Sequence, residues 1–357
     1  MKKLTLLSIF LLFGITLFAQ NNNYLSLYRQ SLYYFDLNDY GKALTFAEDA
    51  ITAKKRQIQS ELNLLRKSLS SNAVKSAGDD INQVLSILEK RNEKDSIAII
   101  QKYIKIKGLD YFDNSMSKLQ ENIKNQSEYP EAQYLIGKIY QLEGEYDISE
   151  TYYSMALDNA AVLDVPDFKY EILYNLAEIS NLQNDFNRYE TRLLNILVED
   201  KYAKDETLIK SMINTIKSNN QNSLERFFML YRASEYKSIK AYMLLSDYYY
   251  KNGYLDKAIQ YSALHVITTF TKINDVMASR NTEYEYTNLK NFFGEINNHH
   301  DIIEWGDDLD IWKGYNTLAK LCSEKGYENF SKSLYGVLSQ YSPQEYWQKD
   351  SVLKLSK

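Results

Sequence analysis

The 357-residue sequence holds one cysteine, three prolines, 12 glycines and three histidines, and each shortage excludes something. A single thiol, Cys322, cannot close an intramolecular disulfide, so packing must supply the stability. With so few prolines and glycines, neither a turn-rich all-β fold nor a disordered chain fits. His299 and His300 are adjacent, which on a helix points them about 100° apart, and only His265 remains to help them, so a histidine metal site is not expected. Charge of one sign is also lacking. The 42 basic and 47 acidic residues leave a net charge of −5, which gives no general reason to bind nucleic acid. After residue 18 there is no second long apolar run, and no stable membrane span is expected beyond the N-terminus.

The N-terminus reads as an address. Lys2 and Lys3 precede an apolar run from Leu4 to Phe18, followed by Ala19 and the polar stretch from Gln20 to Asn23. This is the pattern of a secretory signal peptide, residues 1–19, with retention as an anchor as the alternative because Leu17 is a poor match near the cleavage point. No lipobox cysteine follows the run. The expected location is the periplasm or the exterior. Cys322 lies in an apolar-periodic stretch with no nearby histidine or basic cluster, which marks a buried, inert thiol.

What remains is a helical composition, 45% apolar and 25% charged, with 32 tyrosines. Several segments share one grammar: an aromatic-rich amphipathic helix, a short polar turn, then a helix with spaced small residues. In residues 130–159 the order is Gly137, Tyr140, a turn at Gly144, Tyr146, Ser149, Tyr153 and Ala156, with Pro130 at a first helical position. The N-terminal copy reads Ser31, Tyr34, Asn38-Asp39-Tyr40-Gly41, Ala43, Ala47 and Ala50. Three more centre on Ala177, Ser246 and Ala319, with turns at Asn184, Gly253 and Gly326.

This grammar resembles the tetratricopeptide repeat (TPR). The resemblance implies an all-α fold, an α-α superhelix of stacked hairpins with a concave wall lined by first helices. The gaps between the small residues divide into units of roughly 34 to 40 residues, near the family's ~34-residue period, so degenerate repeats are expected between the clear copies. Apolar positions Val276, Tyr284, Leu289, Phe292, Phe293 and Ile296 are read as helix in one such gap. Residues 24–126 are expected to hold one repeat plus irregular helices, with a long helix through Leu69, residues 127–342 the better-formed array, and 343–357 a tail.

By the same resemblance the concave wall carries Tyr28, Tyr134, Lys138, Tyr174, Asn175, Glu178, Asn181, Met243, Asp247, Tyr250, Asn316 and Lys320. Tyrosine suits such a wall, combining apolar area with a hydroxyl at low entropy cost, although many of these tyrosines must simply fill space between helices. Some family members grip a peptide carboxylate with a lysine, asparagine and arginine set. Only Asn175 matches it, so an extended or helical protein segment is the expected ligand.

Catalytic motifs are missing: no nucleophile elbow, phosphate loop or dinucleotide fingerprint occurs, and no cofactor is expected. Asp307, Asp308 and Asp310 lack the spacing of a calcium loop and read as caps before a helix near Ile311. Lys54-Lys55-Arg56 and Lys102, Lys105 and Lys107 read as solvated helix faces. The expected function is a non-enzymatic scaffold or adaptor holding another envelope protein or peptide segment. It could be one part of a larger assembly such as the collar of a periplasmic flagellar motor, some components of which resemble this repeat class. The alternative is a glycan- or small-molecule-binding envelope protein that uses the aromatic groove.

Overall fold

The computed structural model describes residues 23–218, 220–230 and 236–356. The predicted leader, residues 1–19, lies outside them, as do Asn219 and Tyr231. The described chain is all-α, with no strand among the described residues and a single isolated bridge, Asp80 to Ser115. It divides into two compact units, Met1–Ile179 and Ser180–Lys357.

In the first unit α1 (Asn23–Asp36) and α2 (Tyr40–Leu69) form a hairpin. The long α2 is followed by α3 (Asn72–Lys75), α4 (Ile81–Lys90), α5 (Lys94–Lys107) and α6 (Met116–Asn125). A second hairpin follows from α7 (Pro130–Leu142) and α8 (Tyr146–Asp158). Then comes α9 (Phe168–Leu182). The second unit continues with α10 (Phe186–Ile196), α11 (Glu206–Lys217) and α12 (Ser223–Phe228). Next are the hairpin α13 (Ile239–Lys251) and α14 (Leu255–Arg280), α15 (Leu289–Ile296) and α16 (His300–Asp308). The last hairpin is α17 (Ile311–Glu324) and α18 (Glu328–Tyr341), followed by α19 (Glu345–Leu355).

The five turns anticipated from the sequence have one geometry. Seven residues after each small first-helix residue stands a residue with left-handed backbone: Asn38, Gly144, Asn184, Gly253 and Gly326, with φ between 58° and 84°. The next N–H reaches back five residues, from Asp39 to Tyr34, Glu145 to Tyr140, Asp185 to Ser180, Tyr254 to Tyr249 and Tyr327 to Cys322, at 2.8–2.9 Å. That closes the helix and satisfies a carbonyl that would otherwise be orphaned. Only glycine, or asparagine at lower cost than other residues, takes this conformation readily.

In the first unit the gap between the hairpins is not filled by a further stacked copy. The first hairpin packs directly on α7, burying Ala43 with Leu135 and Ile139, and Ala50 with Tyr129 and Ala132. The intervening helices instead cover the far half of α2 in a separate core of Ile58, Leu62, Leu65, Ile81, Leu88, Ile100 and Ile123. The second unit repeats the device. Helix α14 continues for 26 residues, past the length needed to pair with α13, and ten consecutive residues, Tyr261–Phe270, are buried. A helix buried on every face needs neighbours on every face. Helices α11, α12 and α17 join α13 around it.

Tyr284 does not extend a helix as expected; α14 stops at Arg280, and 281–288 carry no helix before α15. Asp307 and Asp308 end α16 rather than preceding a helix. The helix near Ile311 does begin there, but its N-cap Asp310 is left-handed and makes no side-chain cap bond. The segment 343–357 contains a helix, α19, packed on α17 and α18. Cys322 is buried, and burial pushes its thiol well above the ordinary range.

Candidate functional site

The predicted wall lies on the first helix of each hairpin, and the structure separates its residues into those that pack and those that face out. Met243 is core, 5% exposed, because the α13 face that carries it is turned inward. Tyr28 packs on Tyr129 with ring centroids 5.1 Å apart, and burial drives its hydroxyl pKa upward. The burial of Met243 corrects the expectation of a ligand-facing position there, whereas Tyr28 is half-buried. Asn316 is also buried and donates to Asp350 Oδ2 at 3.0 Å, so α19 covers it.

Within the first unit a polar cluster joins α7 to α9. Asn175 Nδ2 donates to the Tyr134 hydroxyl at 3.2 Å and to the Glu171 carbonyl at 2.8 Å, while Asn175 Oδ1 accepts from Lys138 Nζ at 3.1 Å. Asn175 is itself buried, so it orients the other groups rather than presenting a free amide. The Tyr134 ring is edge-on to Phe168, at 4.7 Å, and 5.4 Å from Tyr153. Burial, with Glu171 adding, raises the Tyr134 hydroxyl pKa, and the phenol stays protonated as a donor. Tyr174 is half-buried and Glu178 exposed.

In the second unit Tyr250, Lys320 and Glu324 meet between α13 and α17. The Tyr250 hydroxyl donates to Glu324 Oε1 at 2.9 Å, and Lys320 Nζ sits 4.4 Å from the Tyr250 ring centroid and 3.9 Å from the same carboxylate. Asp247 is half-exposed on the same helix, and Asn181 is exposed. Sequence reading missed Glu171 and Glu324. Both were accessible to it, since they stand four residues from Asn175 and Lys320 on the same helix face.

Chemically, both clusters offer ammonium, phenol and carboxylate groups on helical backbone, with the Asn175 amide added in the first, the equipment of a polar recognition surface. Among the described residues no group of three or more His, Cys, Asp or Glu is arranged to hold a metal. His300 makes an exposed contact with Glu304 at 3.3 Å. No described helix is long and apolar enough to cross a membrane.

No family model matches the chain. It is similar to an uncharacterized protein of Treponema pallidum, 26% identical over 326 residues, covering 90% of this chain and 87% of that one. It is also similar to an uncharacterized protein of Borreliella burgdorferi, 23% identical over 226 residues, covering 58% of this chain and 70% of that one.

The basic run on α2 is not solvated throughout, as expected from its sequence. Lys55 and Arg56 are exposed, but Lys54 is buried, at 7% exposure, against the rings of Tyr24 and Tyr129.

Proposed function

We propose that this protein is a non-enzymatic scaffold of tetratricopeptide-repeat type, exported to the bacterial envelope, whose first-helix surfaces hold a segment of another envelope protein. The observation that carries this reading is the common hairpin turn at Asn38, Gly144, Asn184, Gly253 and Gly326. Hairpins built alike can present alike the part of the first helix that no neighbour covers, so within each unit the first helices supply a recognition surface. Export rests on the leader-like residues 1–19.

A protein segment is favoured over a glycan by the state of the tyrosines. Tyr28 and Tyr134 are half-buried and pack their rings against other aromatic rings, which leaves less of each ring for stacking on a sugar. The polar groups of the wall, led by Lys138, Glu171 and Glu178 in the first unit and Asp247 and Lys320 in the second, suit the side chains and backbone of a peptide. Membership of a larger envelope assembly fits the same surface.

Site-specific photocrosslinking in intact cells tests this. A photoreactive residue at Glu178, Asp247 or Lys320 should capture one discrete protein, and the same residue at exposed Thr151 on α8 should not. Equal capture from both faces, or none from the wall, would falsify the reading.

A further inference from the structure

The first unit contains a cavity of about 250 Å³ between α1, α2, α5 and α6, closed on one side by the segment 162–164. It is distinct from the first-helix wall, and its chemistry is independent of the scaffold reading. Lys54 lines it. The side chain is more than nine-tenths buried, and its Nζ lies 4.4 Å from the Tyr129 ring centroid and 5.8 Å from that of Tyr24. Only the ring faces and the distant fields of Glu131, Asp164 and Glu128 offset its charge; among the described residues no carboxylate makes an ion pair or hydrogen bond with it.

The neighbouring carboxyls make no contact with it. Glu131 accepts the Asp164 N–H at 2.7 Å through Oε1 and leaves Oε2 buried without a hydrogen-bond partner, and burial raises its own pKa. Glu61 is taken by Lys102 at 2.9 Å and by the Tyr103 hydroxyl at 2.9 Å. With Lys102 held by Glu61, the cavity lining carries two further ammonium groups, Lys54 and Lys107, and one carboxylate, Asp164. On another wall Asn122 leaves its Oδ1 buried with no partner. A half-turn of that amide places an N–H₂ donor at the same point.

A buried ammonium with no counter-ion is a liability to the fold, and cation–π contact recovers only part of the lost hydration. Methionine would fill the same space between Tyr24 and Tyr129 without that cost. A buried lysine in the wall of a hollow that Asn122 also lines is explained when an anion completes the site.

We propose that this cavity binds a small organic anion, a carboxylate or a phosphate monoester, with Lys54 as its buried counter-ion and Asn122 as a second donor. The volume lies below the ~300–1,000 Å³ of drug-sized sites, which limits the ligand to a compact molecule. Tyr24 supplies a flat wall for its carbon skeleton.

The test is calorimetric titration of the full chain with succinate and with glycerol 3-phosphate, glycerol serving as the uncharged control. At least one anion should bind saturably while glycerol does not; which one binds distinguishes the carboxylate from the phosphate source. Lys54→Met should weaken that binding at least tenfold and leave the melting temperature of the unliganded protein unchanged or higher. Asn122→Leu, which removes an unpaired polar group and should fold normally, should weaken it several-fold and decides the matter if Lys54→Met does not fold. Absence of binding by both anions, an equal response to glycerol, or undiminished binding in the folded variants overturns the proposal.

Discussion

The Ser149 hydroxyl donates to the Gly137 carbonyl across the second hairpin at 2.7 Å, and the two residues stand 12 apart. The same bond, at the same separation, joins Ser31 to Ala43, Ser246 to Ala258 and Ser331 to Ala319, at 2.6, 2.9 and 2.7 Å. Two hairpins carry the serine on the first helix and two on the second, and in each the partner is glycine or alanine. The crossing point thus admits one hydroxyl and no more bulk.

At Gly137 the space is already used: an added Cβ would lie 2.8 Å from Tyr153 Cδ1 and 3.3 Å from the Ser149 carbonyl oxygen. Gly137→Ala should destabilise the first unit by about 1–3 kcal/mol, as overpacking does. Ser149→Ala and Ser246→Ala, which lose only the hydrogen bond, should each cost about 1 kcal/mol. Urea unfolding followed by far-ultraviolet circular dichroism measures all three; a Gly137→Ala effect smaller than that of Ser149→Ala would contradict the packing account.

The turns make a second prediction. Nothing lies within 4 Å of a Cβ added at Gly144, Gly253 or Gly326, so replacement by alanine meets only the left-handed backbone. Each substitution should cost about 1–2 kcal/mol. Asn184 occupies the same conformation, and Asn184→Gly should change stability by less than about 0.5 kcal/mol, since relief of strain offsets the greater freedom of the unfolded glycine. Thermal melts of the four variants check both figures.

His265 couples the second unit to pH. It is fully buried in α14, and burial lowers its pKa from 6.5 to about 4 against the weaker opposing effect of the Leu309 backbone. Below pH 6.5 the unfolded chain takes up a proton that the folded one refuses, so stability falls as pH drops from 6.5 towards 4 and is fully present above that window. Between pH 7 and pH 5 this contribution should decline by about 2 kcal/mol. All three tryptophans, Trp305, Trp312 and Trp347, belong to the second unit, so tryptophan fluorescence reports its unfolding. His265→Leu should abolish that share of the acid sensitivity; an unchanged difference between the two pH values would show the imidazole to be uninvolved.

Asp200 is a buried carboxylate that sequence reading passed over. It accepts the Ser238 hydroxyl at 2.5 Å and the Tyr242 hydroxyl at 2.8 Å, and it accepts the Tyr202 N–H at 2.9 Å. Asp200→Ala removes a shared acceptor of two hydroxyls and should cost about 2–4 kcal/mol, whereas Tyr242→Phe, which removes one donor and leaves the rest, should cost about 1 kcal/mol. Denaturant midpoints compared at equal slope give both values.

The candidate wall was legible only in outline. Tyr28, Tyr134, Tyr174, Met243 and Asn316 occupy one equivalent helical position, three residues before the small residue of each hairpin, yet Met243 is buried in the core and Asn316 lies under α19. Helical position fixes the direction of a side chain relative to its own hairpin, not what the next element lays over it. Lys54 failed for the same reason. It belongs to a basic run, Lys54-Lys55-Arg56, and nothing local marks it as the member that Tyr24 and Tyr129 enclose.

The sequence by itself determined the helices, the hairpin turns and the five small crossing residues Ser31, Gly137, Ala177, Ser246 and Ala319. Those are consequences of backbone conformation and short-range spacing, written within a dozen residues. The length of α2, through Leu69, was also written in its apolar spacing; tertiary structure alone decided that α14 overruns its hairpin and that the helices after each fold back to cover them. An amphipathic helix declares that one of its faces must be buried; the hydrophobic effect has no direction, so which surface does the burying is settled only when the whole unit packs.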